Sequence, residues 1–160
     1  VMVFWLGIMK VAEKSGLVEK ISDILKPAAK FLFPEAYKEN KKAIGDIAMN
    51  FSANALGLSN AATPMGIEAM KELQKINKEK DSASDSMCML LAMNTAGFQL
   101  IPATVIAILA ASGSKNPTEI IVPTLLVTSF AFVTAIFTAK IMQKIFSPQN
   151  ESEVNTDGNN

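Results

Sequence analysis

The stretch NFSANALGLSNAATPMG, from Asn50 to Gly66, decides the fold class of this chain. It lies in a run without charged residues, Ile47 to Ile67, which has about the length of a helix that crosses a bilayer. Three asparagines, two glycines and a proline make it a poor helix for facing lipid. Irregular backbone at membrane depth needs protein or water around it. The stretch therefore predicts a membrane helix that breaks beside a cavity or another part of the protein.

The break is expected near Ser59–Thr63, and the helix is expected to restart at Thr63–Pro64. Threonine is a good N-cap, and proline suits the first helical position. The restarted helix would direct free N–H groups into the break and then leave the membrane, with Glu72 on its charged face. Lysines flank both ends of the element. Under the positive-inside rule these flanks favour a re-entrant hairpin, and a kinked full span is the alternative.

Composition excludes several classes of protein. Lys+Arg and Asp+Glu both number 15, so no net charge attracts nucleic acid, and no nucleic-acid partner is expected. The chain has no histidine and one cysteine, which removes most zinc, haem and Ser-His-Asp chemistry. No catalytic residue, metal site or cofactor is predicted. From Ser86 to Ala139 the only charged residues are Lys115 and Glu119, a distribution typical of membrane proteins.

Two uncharged segments, 87–111 and 120–139, are predicted to span the membrane. At about 1.5 Å per residue, each covers the roughly 30 Å hydrocarbon core. Lys115, between them, is expected outside the cell, and the lysine-rich flanks are expected in the cytoplasm. The predicted fold class is an all-α integral membrane protein, multi-pass in a bacterial cell membrane. It would be a helical bundle with a broken or re-entrant helix and two clear transmembrane spans.

The sequence also allows predictions for the two ends of the chain. The opening residues VMVFWLGIM are apolar from the start, which suggests a fragment cut inside a longer first helix. Residues 17–30 show an amphipathic pattern, for which a helix in the headgroup region and a helix packed on protein are both open. Residues 147–160 are polar, rich in Asn and without periodicity, so they predict a disordered tail.

Two membrane segments share the same kinds of residue. NALGLSNAATP (Asn54–Pro64) and NTAGFQLIPAT (Asn94–Thr104) each combine Asn, Gly, small residues and Pro. Paired interrupted segments of this kind point to a transporter-type site at the bilayer midplane. The candidate ligand or ion pathway consists of Asn50, Asn54, Ser59, Asn60, Thr63, Asn94, Thr95 and Gln99. The candidate helix-breaking residues are Gly57, Pro64, Gly66 and Pro102. The alternative is that these residues only hold helices together in lipid.

Three motifs carry a family resemblance: VFWLGIMKVAEKSGL (Val3–Leu17), NALGLSNAATPMGIEAM (Asn54–Met70) and NT…LIPATVIAI (Asn94–Ile108). They resemble the spore maturation protein A family, part of the nucleoside-recognition or Gate-domain group of membrane proteins. The resemblance implies a Gate-like membrane domain over 1–146 that lacks the family's N-terminal hydrophobic region. It also implies a protein of an endospore-forming bacterium that acts with a sister protein, spore maturation protein B, in dehydrating the spore core.

Two functions remain open from the sequence. In the first, the chain is a transport or gate module for a small polar solute or ion, with the lipid bilayer and a spore maturation protein B-like protein as partners. In the second, it is a non-transporting scaffold of a spore maturation complex. Asparagines that face one cavity would favour transport, whereas amides that are each satisfied between packed helices would favour a scaffold.

Overall fold

The computed structural model describes residues 27–157, without the side chains of Ser59 and residues 147–157. Within that range the chain is helical and contains no β-strand. Residues 27–32 are helical, and the further helices are α1 (Pro34–Glu39), α2 (Lys41–Ala55), α3 (Ser59–Ile76), α4 (Asp85–Ala96), α5 (Ala103–Ala111), a 3₁₀ helix (Pro117–Ile120) and α6 (Ile121–Asp157). The expectations for residues 1–26 lie outside the described residues.

Helices α2 and α3 form an antiparallel hairpin. Asn40 caps α2 by accepting a hydrogen bond from the Ala43 N–H at 3.1 Å. The Asn40 amide also donates to the backbone carbonyl of Glu72, near the far end of α3, at 3.2 Å. The start of α2 therefore lies beside the end of α3, and the chain reverses between them at Gly57, whose φ is +68°. The two helices therefore form a hairpin and not one kinked helix, and entry of this hairpin into the membrane stays a prediction.

The break between α2 and α3 lies earlier than predicted. It comprises residues 56–58, with Leu58 in the N-cap position of α3, so Thr63 is not an N-cap. The N–H groups of Ala61 and Ala62 already bond to the Leu58 carbonyl, at 2.9 and 3.0 Å. Pro64 consequently lies inside the helix, where its missing N–H removes one hydrogen bond without ending the helix.

The predicted span 87–111 is not one continuous helix. Gly97, with a left-handed φ of +61°, caps α4, and its N–H bonds to the Met93 carbonyl. Residues 98–102 are irregular before α5 begins. One helical segment among the described residues, Pro117–Phe146, is long and apolar enough to cross a membrane, and its most apolar window is not buried. The prediction of two clear spans is therefore corrected to one such helix and one broken element.

The broken element α4–α5 runs antiparallel to α6. Gln143 in α6 donates its amide to the Asp85 carbonyl at the start of α4, at 2.9 Å. The Thr128 hydroxyl contacts both the N–H and the carbonyl of Gln99, each at 3.3 Å. The lysine-rich ends of α3 and α6 consequently meet at one end of the helices, and Lys115 follows α5 at the other end.

The hairpin packs on α4 and α6 through small and apolar side chains. Ala43 and Ala69 are fully buried, as expected where two helix backbones approach closely, and Leu73 and Met89 complete the packing. An aromatic cluster joins three elements: the Phe51 ring of α2 stacks on Phe98 of the second break, with centroids 5.7 Å apart, and both contact Phe132 of α6. The two breaks are thus held against α6.

Helix α6 is described as far as Asp157. The disordered tail over residues 147–160 stays a prediction. Residues 158–160 lie outside the described chain.

Candidate functional site

The two helix breaks contact each other directly. The N–H groups of Leu100 and Ile101 bond to the Ala55 carbonyl at the end of α2, at 2.8 and 3.1 Å. The Thr104 hydroxyl donates to the Gly57 carbonyl at 2.6 Å. A Cβ atom at position 57 would lie only 2.5 Å from the Ile101 carbonyl oxygen. Residue 57 must therefore be glycine both for its positive φ and for the close approach of the second break.

An asparagine cluster lies next to the paired breaks. Asn50, 2% exposed, donates its amide to the Ala62 carbonyl across the hairpin at 2.8 Å. Asn54 donates to the Asn94 side-chain oxygen, also at 2.8 Å. A Cβ atom at Gly66 would come within 2.9 Å of the Asn50 amide nitrogen and 3.5 Å of that of Asn94. Gly66 thus leaves the space in which amides from α2 and α4 converge.

A cleft of about 750 Å³ opens beside this cluster. Its lining residues are Asn50, Asn54, Ala62, Thr63, Gly66, Ile67, Met70, Lys71, Gln74, Met87, Leu91, Asn94, Gly97 and Gln99. The lining combines amide and hydroxyl groups with apolar walls. Such a combination suits a small ligand that both donates and accepts hydrogen bonds.

Five of the eight predicted pathway residues line this cleft: Asn50, Asn54, Thr63, Asn94 and Gln99. Two others do not. Asn60 is exposed in the first turn of α3, and Thr95 is exposed and donates its hydroxyl to the Leu91 carbonyl in its own helix. The side chain of Ser59 lies outside the described part of the chain. Of the predicted helix-breaking residues, Gly57 lies in the first break, Pro102 precedes α5, and Pro64 and Gly66 lie inside α3.

Sequence reasoning missed several cleft residues. Met70, Lys71 and Gln74 of α3, and Met87 and Leu91 of α4, had no assigned role. On α3 the lining positions recur three or four residues apart from Thr63 to Gln74, which is the spacing of one helix face. That periodicity could have extended the site once the start of α3 was placed correctly.

The inner end of the cleft lies near the middle of the spanning helix. Gln99 contacts Thr128, and the centre of the apolar segment Pro117–Phe146 is three to four residues further along α6. At 1.5 Å per residue this offset is about 5 Å. The hairpin tip and the second break therefore meet at about half the height of Pro117–Phe146, the one helical segment of the described chain that is long enough to span.

A charged cluster closes the other end of the hairpin, in helices that are not part of the spanning-length segment Pro117–Phe146. The Glu72 side chain is 6% exposed and accepts hydrogen bonds from Lys42, Lys75 and Asn40, at 2.9, 2.7 and 3.2 Å. Burial alone would raise the pKa of Glu72, but these hydrogen bonds and the charge of Lys42 lower it to about 2. Asp46, fully buried, lies 3.9 Å from Lys42. The cluster clamps the open ends of α2 and α3 together.

The lowered pKa of Glu72 predicts a pH dependence of stability. A carboxylate whose folded pKa lies below its unfolded value of 4.5 stabilises the fold above pH 4.5, and this stabilisation is lost as pH falls towards 2. Because both lysines are largely exposed and solvent screens them, we expect a loss of about 1 to 2 kcal/mol. Thermal unfolding of the purified protein in detergent, measured from pH 6 to pH 2, checks this.

The matched variants for that measurement are Glu72→Gln and Glu68→Gln. Glu68 forms an exposed ion pair with Lys71 at 2.7 Å on the same helix. Glu72→Gln should lower stability at pH 6 and flatten the profile below pH 4.5, whereas Glu68→Gln should leave the profile as in the wild type. Equal profiles for wild type and Glu72→Gln would show that the cluster does not hold the hairpin.

The described residues contain no group of three or more His, Cys, Asp or Glu side chains that could hold a metal ion. The chemistry available in the cleft is hydrogen bonding by amides, with one cationic side chain, Lys71, at its edge. Paired helix breaks beside an apolar helix of spanning length define the class of the molecule: an all-helical membrane-type protein with an internal polar cleft.

Comparison with known proteins identifies the family. The nucleoside-recognition (Gate) family matches residues 1–115, so the chain belongs to that family. Spore maturation protein A of Bacillus subtilis (strain 168) is 46% identical over 136 residues, which cover 85% of this chain and 69% of that protein. No solved structure matches the chain. The family match includes α2 to α5, and thus both breaks and the asparagine cluster.

Proposed function

We propose that the chain is a spore maturation membrane protein whose paired helix breaks frame a pathway for a small, neutral, polar solute. It would contribute to dehydration of the spore core together with a spore maturation protein B-like membrane partner. The observation that carries this proposal is the convergence of the Asn50 and Asn94 amides at Gly66, with Asn54 bonded to Asn94, in a cleft of about 750 Å³. The likeness to spore maturation protein A supplies the cellular role.

The chemistry of the cleft favours a neutral ligand. Its polar groups are mainly side-chain amides, which offer donors and acceptors without net charge. Lys71 is the single charged residue of the lining, and its ammonium pairs with the Glu68 carboxylate at 2.7 Å. Moving an ion from water into the cleft would cost desolvation free energy, because the lining has no unpaired charge to compensate for the lost water. A polar, uncharged solute exchanges its hydrogen bonds with water for those of the amides.

One observation favours the scaffold function. The Asn50 amide bonds to the Ala62 carbonyl, and Asn54 bonds to Asn94, so each amide also links two packed segments. Interhelical hydrogen bonds of this kind hold membrane helices together. In a scaffold these bonds would serve association with the partner, and the cleft would carry no solute.

Asn94→Leu and Asn60→Leu separate the two functions. We expect Asn94→Leu to abolish function while the protein still accumulates in the membrane, because the change places an apolar side chain in the cleft. The interhelical hydrogen bond that it removes is worth only about 0.6 kcal/mol on average. Asn60→Leu is the matched control, since Asn60 is exposed and outside the cleft lining. The measurements are membrane abundance, co-purification of the partner and water content of the spore core.

The pathway predicts wet spores from Asn94→Leu with normal abundance and a normal complex, and dry spores from Asn60→Leu. If the protein is a scaffold, the water content of the spore core should rise only in proportion to the loss of co-purified partner. If Asn94→Leu spores have the core water content of the wild type, the pathway proposal is wrong.

A further inference from the structure

We infer that the Thr104 hydroxyl latches the inner end of the cleft shut, so that the described conformation admits solute from the lysine-rich side alone. This inference rests on the proposed function, because a latch has a purpose only where a solute passes. It adds a residue, Thr104, that lies outside the cleft lining, and it assigns a direction of access to the cleft.

The cleft extends to one side of the paired breaks. Its outer lining residues, Lys71, Gln74 and Met87, lie in the last turns of α3 and the first turn of α4. These turns adjoin the lysine-rich ends of the hairpin and of α6. Its inner lining ends at Gly97 and Gln99, and no residue of α5 contributes to it. The cleft therefore opens towards the lysine-rich end and stops at the breaks.

The closure consists of the hairpin tip docked on the second break. Two backbone N–H groups, those of Leu100 and Ile101, converge on the Ala55 carbonyl. Gly57 approaches the backbone at Ile101 and Ala103 too closely for a Cβ atom to fit between them. Solute that reaches Gln99 can continue past the tip only if these segments separate.

Thr104 supplies a side-chain bond across this closure. Thr95 and Thr134 donate their hydroxyls to the carbonyl four residues earlier in their own helices, at 2.8 and 2.9 Å, as helical threonines commonly do. Thr104 instead donates to Gly57, which is 47 residues away in sequence, at 2.6 Å. The bond ties the first turn of α5 to the tip of the hairpin. Losing it weakens the docking of the tip and leaves the two backbone hydrogen bonds to the Ala55 carbonyl in place.

The test measures from which side a cysteine at position 99 can be reached. The native Cys88, which is exposed, is replaced by alanine, and Gln99→Cys provides the single reporter in the full-length protein. Right-side-out and inside-out membrane vesicles are treated with a membrane-impermeant methanethiosulfonate, and the labelling rate is measured from each side. With Thr104 intact, we expect labelling from the lysine-rich side at least tenfold faster than from the Lys115 side.

Variants at position 104 distinguish the effect of the hydroxyl group on labelling from the effect of the side-chain shape. Thr104→Val keeps the shape and removes the donor, so labelling from the Lys115 side should rise about threefold, the change that an interhelical hydrogen bond of about 0.6 kcal/mol gives. Thr104→Ser keeps the donor and should label as the wild type does. Thr134→Val, the same change at a hydroxyl that bonds within α6, should alter nothing. If Thr104→Val accumulates poorly, Thr104→Ala removes the same donor without crowding the tip and is read in the same way.

Two results would overturn the latch, and they differ in what they leave standing. Equal labelling from both sides with Thr104 intact, or no change on Thr104→Val, shows that Thr104 closes nothing, while the cleft remains a candidate solute site. A reporter that reacts from neither side shows that no water-filled cleft reaches position 99. That result overturns the latch and the proposed pathway together.

Discussion

Gly57→Ala is expected to undo the docking of the two helix breaks and to leave little folded protein in the membrane. An alanine at the observed φ of +68° is strained by about 1 to 2 kcal/mol. Its Cβ would also lie 2.5 Å from the Ile101 carbonyl oxygen and 2.7 Å from the Ala103 nitrogen, and both are backbone atoms that cannot turn away. The total loss of stability should exceed about 3 kcal/mol, towards the upper end for single substitutions. The measurement is the fraction of protein that remains monodisperse in detergent on heating.

Gly113→Ala is the matched control for this prediction. Gly113 also has a positive φ, +79°, but a Cβ atom there would meet nothing within 4 Å. Gly113→Ala should therefore lose only the stability that corresponds to backbone strain, about 1 to 2 kcal/mol. If both alanine variants lose the same stability, the contact between the two breaks contributes nothing beyond the strain.

Gly66→Ala is expected to leave the fold largely intact and to remove the function. The nearest atoms to the added methyl group are the amide nitrogens of Asn50 and Asn94, at 2.9 and 3.5 Å, which are side-chain ends that can shift. The shift would disturb both amides at the centre of the cleft. We expect at least a tenfold loss of solute flux at normal membrane abundance, because the methyl group occupies the space in which a ligand would meet the amides.

A double variant shows whether the effect of Gly66→Ala acts through Asn50. If the methyl group costs stability only by displacing that amide, Gly66→Ala combined with Asn50→Ala should be no less stable than Asn50→Ala alone, since neighbouring substitutions are not additive. Thermal stability in detergent is the readout. Strict additivity would mean that position 66 acts independently of Asn50.

The sequence was sufficient to predict a broken helix but not the position of the break. The sequence predicts Pro64 at the first position of the restarted helix and Gly57 among the helix-breaking residues. In the structure Pro64 lies inside α3, whereas Gly57 lies in the break. Gly57 ends α2 because the second break approaches it too closely for any side chain. That requirement comes from a segment more than 40 residues away, so local residue preferences could not reveal it.

The same reason explains why the predicted span 87–111 is divided into α4 and α5. The N–H groups of Leu100 and Ile101 leave the helical ladder because the Ala55 carbonyl receives them. The sequence of 87–111 does not reveal that acceptor, and an apolar segment with one Gly and one Pro is compatible with a transmembrane helix. The shared residue pattern of the two segments was the correct signal, and it indicated two breaks that meet.

Within the candidate site, helix phase does not explain why Asn60 and Thr95 lie outside the cleft lining. Asn60 is seven residues before Ile67 and Thr95 is four residues after Leu91, and residues at these spacings share a helix face with a residue that lines the cleft. The spacing of the residues could therefore not have excluded either one from the site. The burial of Glu72 could not have been predicted, because it depends on Asn40 and Lys42 at the start of the other arm.

The proposed pathway requires that solute moves through the cleft. The decisive measurement is the rate at which small neutral polar solutes leave vesicles that contain the full-length protein and the proposed spore maturation protein B-like partner, with monovalent cations as the comparison. We expect faster release of a neutral solute from wild-type and Asn60→Leu vesicles than from Asn94→Leu vesicles with equal protein incorporation. Equal release rates from wild-type and Asn94→Leu vesicles for every solute would contradict it.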